Sequence, residues 1–531
     1  MAGTLLIASA AYVEPELEVE FGRIPPAFLP LGNRRLYQHQ HEFVSGWADR
    51  IVLSLPESFT PDDHDLRLLE SLGIEPVFVP DGLPLGQSLI YVINVTAASL
   101  APVSVLHGDT VLIGIAQGDD DAVSIDAAPP PGYHWGYASV RDGRVEIEAS
   151  EDPDLRVALT GFFRFASPTL FLQTVTRNGG SFLRGLADYA RRRPMRPVVA
   201  EEWLDFGHSG TFYRSRRRFT TERAFNRLAA TPRTVVKSGR NAGKLEAEAT
   251  WFERLPPRLR LFAPAYLGRG AEGAAFSYEL EYLYLPTLAE LFVFGRLGAE
   301  AWRGIFEACD EFLGACRRQA APPATPTGGL YLGKTLERLE TFARTRGIDP
   351  TAPCRLNGTT LPSLTAMAEQ AAAVVEATAS GTAAFVHGDF CFSNILFDTR
   401  AGRVRVIDPR GLDRAGRNSP WGDARYDIGK LHHSAIGLYD FIVADRHWVV
   451  QNGATDFDFE LPATTEIRRI GEVFMQSRFA GQTAAEAAAP AISVLLFLSM
   501  LPLHADDERR QNALLANGMR LFLELDRATA G

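Results

Sequence analysis

The sequence predicts an α/β chain of more than one domain. Three observations carry this. Short apolar runs alternate with helical periodicities over residues 1–208, the pattern of a sheet wrapped by helices. At 531 residues the chain exceeds what one ordinary core organises. From Phe385 to Gly411 the pattern becomes strand, polar turn, strand, turn, strand, polar turn, and helical patterns dominate the rest of the chain. We divide the chain into domains at 1–208, 209–285 and 286–531.

Composition narrows the function. With 46% hydrophobic and 22% charged residues the chain reads as a soluble globular enzyme. The formal net charge is −10, and the basic runs are confined to Arg191–Arg193 and Arg214–Arg218, which argues against nucleic acid as a partner. Cys309, Cys316, Cys354 and Cys391 form no CxxC pair and have no zinc spacing, so free thiols in a reducing, cytoplasmic compartment are expected. The apolar start has no basic stretch before it and reads as a first strand rather than a signal peptide. Ala489–Leu503 is too short to span a membrane and reads as a core helix. No membrane partner is indicated, and the oligomeric state stays open.

In the first domain, Thr4–Ser9, Ile51–Leu55, Pro76–Val79 and Val103–Leu106 read as buried strands. Leu36–Trp47, Asp65–Leu72 and Gly86–Val95 read as helices between them. That alternation predicts a mostly parallel sheet, with ligands at the carboxyl ends of its strands. One strand ends in His107-Gly108-Asp109-Thr110. A carboxylate just past a buried strand, beside a glycine that admits close approach, suits a metal on a nucleotide's phosphates. A loop acid capping a helix is the plainer alternative for Asp109.

This order resembles the sugar nucleotidyltransferases, with their GT-A-like, Rossmann-related fold. Pro26-Ala27-Phe28-Leu29-Pro30-Leu31-Gly32 looks like their P-K-x-L-x-P-x-G segment. Leu106–Thr110 looks like L-x-G-D, Val140–Ile147 and Leu159–Phe165 like their hairpin and following strand, and Trp203–Gly207 like W-x-D-x-G. The resemblance implies that Asp109 and Asp205 share a divalent metal, that Gly86 and Gln87 lie near the base, and that a nucleoside triphosphate binds. The sequence departs from the family in two places. The Gly-rich loop is replaced by an acidic stretch with Glu14, Glu16, Glu18 and Glu20, and Ala27 stands where the family has Lys. Arg23, Arg34 or Arg35 would have to supply the missing positive charge. Both an active transferase and a degenerate binding or scaffold domain stay open.

Beyond a Pro-rich basic bend at Arg191–Pro197, Val198–Phe206 returns to the first domain's sheet. Phe219–Leu228 and Arg233–Lys237 form a hairpin about Thr231-Pro232. Gly243–Leu255 is helical and ends at Pro256-Pro257. Ser277–Leu283 is a strand followed by a helix from Thr287. Ala299–Arg318, Leu332–Arg346 and Leu361–Thr378 are helices, and Pro322–Gly329 is a loop. In Phe385–Gly411, His387-Gly388-Asp389 is followed five residues on by Asn394, and Asp408 ends the run Val404–Ile407.

That spacing resembles the H-R-D-x-x-x-x-N loop and D-F-G acid of protein kinases. Gly388 in place of Arg, and Ile407-Asp408-Pro409 in place of D-F-G, resemble the aminoglycoside phosphotransferase and choline kinase branch, which phosphorylates small-molecule hydroxyls. The resemblance implies a bilobal kinase-like fold with an N-lobe at 209–285 and a C-lobe at 286–531. Asp389 would be the catalytic acid-base group, Asn394 and Asp408 the Mg²⁺ ligands, and Lys237 the cation on the ATP α/β-phosphates. Lys237 would be held by Glu248, with Glu246 as the alternative. Glu281, Tyr282 and Leu283 mark the hinge that holds adenine. Trp421–Lys430 resembles the family's G-D-x-x-Y-D-L-A segment, so Asp427, with His387, would brace the loop. His432 and His433 read as structural. The fusion suggests a sugar or polyol phosphorylated by ATP and then coupled to a nucleoside monophosphate, for capsule, cell-wall or secondary-metabolite biosynthesis. A kinase with a dead N-terminal domain is the alternative.

Overall fold

The computed structural model describes residues 3–115, 118, 120–147, 156–219, 226–239, 241–272, 275–323, 325, 331–378, 383–413 and 415–530. Two compact units result. The first comprises 1–219 and 294–296, and the second comprises 220–293 and 297–531. The first unit runs past the expected boundary at 208 because the helix Ser209–Arg216 belongs to it. Thr211, Phe212, Tyr213 and Ser215 are buried there. Ser215 Oγ donates to the Asp205 carbonyl (2.8 Å), and Phe212 packs on Phe21 (5.3 Å between ring centres).

The first unit is built on a nine-stranded mixed sheet. Its strands are β1 (Thr4–Ala8), β2 (Arg50–Pro56), β3 (Ile74–Val79), β4 (Val103–His107), β6 (Ala122–Asp126), β7 (Tyr137–Arg141), β8 (Arg144–Glu146), β9 (Val157–Phe165) and β10 (Arg196–Val198). The main path runs β8-β7-β9-β4-β1-β2-β3, with β6 on β9 and β10 on β6. The expected mostly parallel sheet holds only for β4-β1-β2-β3 and for β6-β10. Strand β9 joins β4, β6 and β7 antiparallel, and β7 pairs β8 the same way. The reason is in the connections. Parallel neighbours need a crossover, usually a helix. Helices α1 (Leu36–Val44), α2 (Asp63–Ser71) and α3 (Leu85–Val95) supply crossovers early, whereas the described residues from Gly108 to Arg156 contain none. Asp62 starts α2 by accepting a bond from Asp65 N (2.9 Å). The stretch expected to return to the main sheet splits. Only β10 does so, while β11 (Glu202–Asp205) pairs antiparallel with β5 (Thr110–Ile113) in a separate ribbon.

The second unit opens on a four-stranded antiparallel sheet, in the order β12 (Asn226–Ala230), β13 (Thr234–Gly239), β15 (Ala275–Glu281), β14 (Tyr266–Glu272). Residues 220–225 of the expected first strand lie outside the described residues, as does most of the Pro322–Gly329 loop. Helix α4 (Ala242–Glu253) starts at Asn241, whose side chain accepts from Lys244 N (3.1 Å). The rest of the unit is mainly helical. The expected helix Leu361–Thr378 begins at Leu364, because Thr359–Ser363 pairs as a strand with Pro353–Leu356. Every residue of Ala489–Met500 except Pro490 is buried, so this apolar segment is a central core helix. Each buried Leu or Ile there contributes roughly 1.5–3 kcal/mol. Among the described residues no helix is long and apolar enough to cross a membrane. All four cysteines are buried free thiols.

Candidate active sites

In the second unit the loop from Val386 to Ile395 leads into a hairpin, Ile395–Asp398 with Arg403–Val406. The His387 ring is fully buried. Its Nε2 lies 3.0 Å from the Ile407 carbonyl and its Nδ1 accepts from Asp389 N (3.3 Å), so Nε2 carries the proton. Burial pushes this imidazole down to about 4, so it is neutral at neutral pH. The Asp427 carboxylate accepts from the amides of His387 (2.7 Å) and Gly388 (2.8 Å). Burial raises the Asp427 carboxyl to about 7 against those two bonds. Gly388 has φ +78°, and a Cβ on it would lie 2.8 Å from Arg410 Cβ. That explains why glycine occupies this place in the loop.

Asp389 has two partners. Asn394 Nδ2 donates to its Oδ2 (2.9 Å) and to its carbonyl (2.9 Å), and Lys430 Nζ lies 2.8 Å from its Oδ1. Its side chain is 41% exposed and open to an incoming molecule. Partial burial pushes the Asp389 carboxyl up, but Lys430 overrides it and holds it well below the usual range. Lys430 is itself raised, because Asp389 outweighs its burial. The Asn394 Oδ1 is buried and has no hydrogen-bond partner among the described residues.

Strand β13 carries Lys237 and helix α4 carries Glu248. Lys237 Nζ donates to Glu248 Oε2 (2.6 Å) and to Asp408 Oδ1 (3.0 Å). Tyr278 OH, from β15, donates to the same Glu248 oxygen (2.8 Å). Burial pulls the Lys237 ammonium down, while Asp408 and Glu248 more than compensate. Glu246, the alternative to Glu248, points elsewhere and lies 3.5 Å from Arg269 at the surface. Asp408 adopts φ +56°, a left-handed conformation that costs a non-glycine residue about 1–3 kcal/mol. At the expected hinge, the Glu281 amide donates to the Ala265 carbonyl (2.9 Å) and the Tyr282 amide to the Arg233 carbonyl (2.8 Å). Two of the backbone donors in Glu281–Leu283 are therefore engaged within the unit.

Sequence reasoning missed Lys430 and Tyr278. Lys430 was legible in one respect, since it falls one helical turn after Asp427 on Arg425–Ala435. Tyr278 had no signal beyond its strand.

In the first unit, β11 pairs with β5 so that Asp205 lies opposite Thr110, and Phe206 N donates to the Asp109 carbonyl (2.8 Å). A Cβ on Gly207 would lie 2.6 Å from Asp109 Oδ2 and 3.6 Å from Asp205 Oδ1, so the two acids converge on one glycine. Burial and then the Asp205 charge raise the Asp109 carboxyl. Thr211 donates its hydroxyl to Asp205, and His208 Nδ1 stands 3.6 Å from it. Oxygen donors of this kind, without a Lys or Arg partner among the described residues, fit a hard divalent cation. A cavity of about 250 Å³ adjoins them, lined by residues 8–14, Leu85, Ser88, Asp109 and His208 among others.

Three sequence expectations fare differently here. Gly86 packs so closely that a Cβ on it would collide with the Gly180 carbonyl, and Gln87 is exposed beside Gly180. Helix α3 turns Leu85, Ser88 and Leu89 to the cavity instead. The arginines expected to replace the missing Lys are engaged elsewhere. Arg35 is buried on Asp65 (3.1 Å) and the Phe28 carbonyl (2.9 Å), Arg34 pairs with Glu42 (2.7 Å), and Arg23 lies over the Tyr12 ring (4.0 Å). None of the three lines the cavity. Ala27 is fully buried.

Among known proteins, the phosphotransferase enzyme family has a model that matches residues 223–456. The C-terminal region therefore carries a domain of that family, and the chain is a transferase. No curated protein sequence matches. A solved aminoglycoside phosphotransferase, a thermostable mutant in ternary complex with AMP-PNP and hygromycin B, is 15% identical. The match covers 59% of this chain and 93% of that one, with a TM-score of 0.37. Sugar nucleotidyltransferase structures match the N-terminal region. A protein assigned as a glucose-1-phosphate thymidylyltransferase from Bacillus anthracis, in complex with a sucrose, is 14% identical. That match covers 42% of this chain and 97% of that one, with a TM-score of 0.34. A UTP-bound UGPase from Acinetobacter baumannii is 12% identical over 42% and 95% of the two chains, with a TM-score of 0.32.

Proposed function

We propose that the second unit transfers the γ-phosphoryl group of ATP to a hydroxyl of a small molecule. The observation that carries this is Lys237, held between Glu248 and Asp408 beside a loop that pairs Asp389 with Asn394. In this reading the acceptor oxygen bonds the γ-phosphorus, the bridge to the β-phosphate breaks, ADP leaves, and the hydroxyl proton goes to Asp389. Lys237 steadies the α/β-phosphates, and Glu248 with Tyr278 fixes Lys237. The unpartnered Asn394 Oδ1 and the Asp408 carboxylate are suited to hold Mg²⁺, which when bound neutralises charge on the transferred group. Asp427 fixes the loop through two backbone amides. Glu281–Leu283 would border the adenine. The catalysis is positioning and charge compensation. Asp389→Asn should abolish phosphoryl transfer while sparing ATP binding, and full retained activity would remove the assignment.

For the first unit the reading is nucleotidyl transfer, with Asp109 and Asp205 holding a divalent cation and a second nucleoside triphosphate as donor. The two activities in sequence would phosphorylate a sugar or polyol and activate it for capsule, cell-wall or secondary-metabolite biosynthesis in the cytoplasm. A second reading is favoured by a specific observation. No Lys or Arg is among the described residues lining the Asp109 cavity, so a triphosphate finds little compensation there, and the domain would be a non-catalytic relic. Pyrophosphate release from mixed nucleoside triphosphates, lost in Asp109→Asn, decides between them.

A further inference from the structure

Arg410, the residue against Gly388, lines two cavities of the second unit. One, of about 410 Å³, also contains His387 and Gly388. The other, of about 580 Å³, is lined by Lys334, Glu337, Arg338 and Tyr426 among others. Tyr426 borders both, so the larger cavity adjoins the loop that carries Asp389.

The larger cavity is cationic. Lys334, Arg338 and Arg410 face a single acid, Glu337, which is exposed. Half-buried Lys334 makes no hydrogen bond or ion pair among the described residues. Burial first, then Arg410, Arg338 and Lys430, push its ammonium down to about 7, and the weaker pull of Asp389 does not offset them. Arg338 donates to the Ser499 carbonyl (3.0 Å), and Arg410 lies over the Tyr426 ring at 5.8 Å. By contrast, the buried Arg425 pairs with Asp423 (2.8 Å) and the buried Lys237 with Glu248 (2.6 Å). Crowded like charges without a counter-charge are unfavourable, and an anionic ligand relieves them.

We infer that the cavity of Lys334 and Arg410 binds an acidic group, a carboxylate or a phosphate monoester, on the same compound whose hydroxyl Asp389 receives. The inference rests on the kinase reading above and narrows its substrate from a neutral polyol to an anionic hydroxyl compound. A polycationic acceptor is repelled by this cavity.

The test uses the full chain loaded with Mg²⁺ and AMP-PNP, so that nucleotide phosphates are already placed. Four probes of similar size are titrated calorimetrically: sorbitol, glucosamine, gluconate and sorbitol 6-phosphate. At least one anion should bind about tenfold or more tighter than sorbitol, with glucosamine weakest. The gluconate and sorbitol 6-phosphate arms distinguish the two acids. Lys334→Ala should shrink the anion preference by about fivefold or more, and Lys334→Glu should invert it towards glucosamine. Arg410→Gln is a second variant that removes charge from the same cavity. Intact AMP-PNP binding with no anion preference, including no binding of any probe, overturns the charge assignment alone. Absence of AMP-PNP binding overturns the kinase reading and this inference with it.

Discussion

Lys430 Nζ lies 2.8 Å from Asp389 Oδ1, and it reaches there from the same helix whose Asp427 clamps the backbone of His387 and Gly388. One helix thus sets both the position and the charge of the proposed acid-base group. Removing Lys430 removes the cation that holds Asp389 ionised. In Lys430→Met the acid limb of the kcat/KM profile should move to higher pH, because the Asp389 carboxyl rises. A profile unchanged in position would show that Lys430 has no hold on Asp389.

Lys237 neutralises two carboxylates, so its loss strands Glu248 in a buried site. Lys237→Met should cost about 3–5 kcal/mol in stability, and raise KM for ATP. Glu246→Gln, at the surface beside Arg269, should change neither. Chemical denaturation of the two variants beside wild type measures the difference.

At Gly388 a side chain meets both a positive φ and the Arg410 side chain. Gly388→Ala should cost about 1–3 kcal/mol, and depress phosphoryl transfer through displacement of Asp389. AMP-PNP binding through Lys237 should survive. Steady-state rates beside calorimetric nucleotide binding separate the two effects.

His432 is fully buried on Ser493 (2.8 Å), and burial lowers its imidazole to about 3. The unfolded chain takes up a proton below the usual histidine value of about 6.5, whereas the folded chain resists until about 3. Stability is therefore lost as pH falls through that window, by up to about 1.4 kcal/mol per pH unit for this one group. His432→Gln should flatten the acid side of a plot of unfolding midpoint against pH. Asp427, raised to about 7, acts in the opposite direction, since its contribution is lost as pH rises towards that value.

In the first unit Asp109 and Asp205 repel one another in a buried setting. Asp109→Asn should raise the thermal midpoint of that unit in chelator and remove any stabilisation by added Mg²⁺. Thermal melts with and without Mg²⁺ check it. A variant that still gains stability from Mg²⁺ would place the cation elsewhere.

Local features could be read from the order of residues alone. The strand and helix segments of residues 1–113 follow from apolar runs and periodicity, and the HGD–Asn spacing is visible because one loop and hairpin hold it. Lys237, Asp408, Asp109 and Asp205 could be singled out because each lies in or just past a strand, within a characteristic neighbour pattern. Features that depend on distant segments emerged only from the packed fold. Glu248 rather than Glu246 faces Lys237, because only that side of the helix is covered by β15 and Tyr278. The sheet became mixed because the described residues between β4 and β9 contain no crossover helix. Lys430, Gly86 and the cationic cavity depend on which helix faces meet which loops. Periodicity says that a face is buried, but it does not name the residue across from it, and charge acts on what is near in space rather than in sequence.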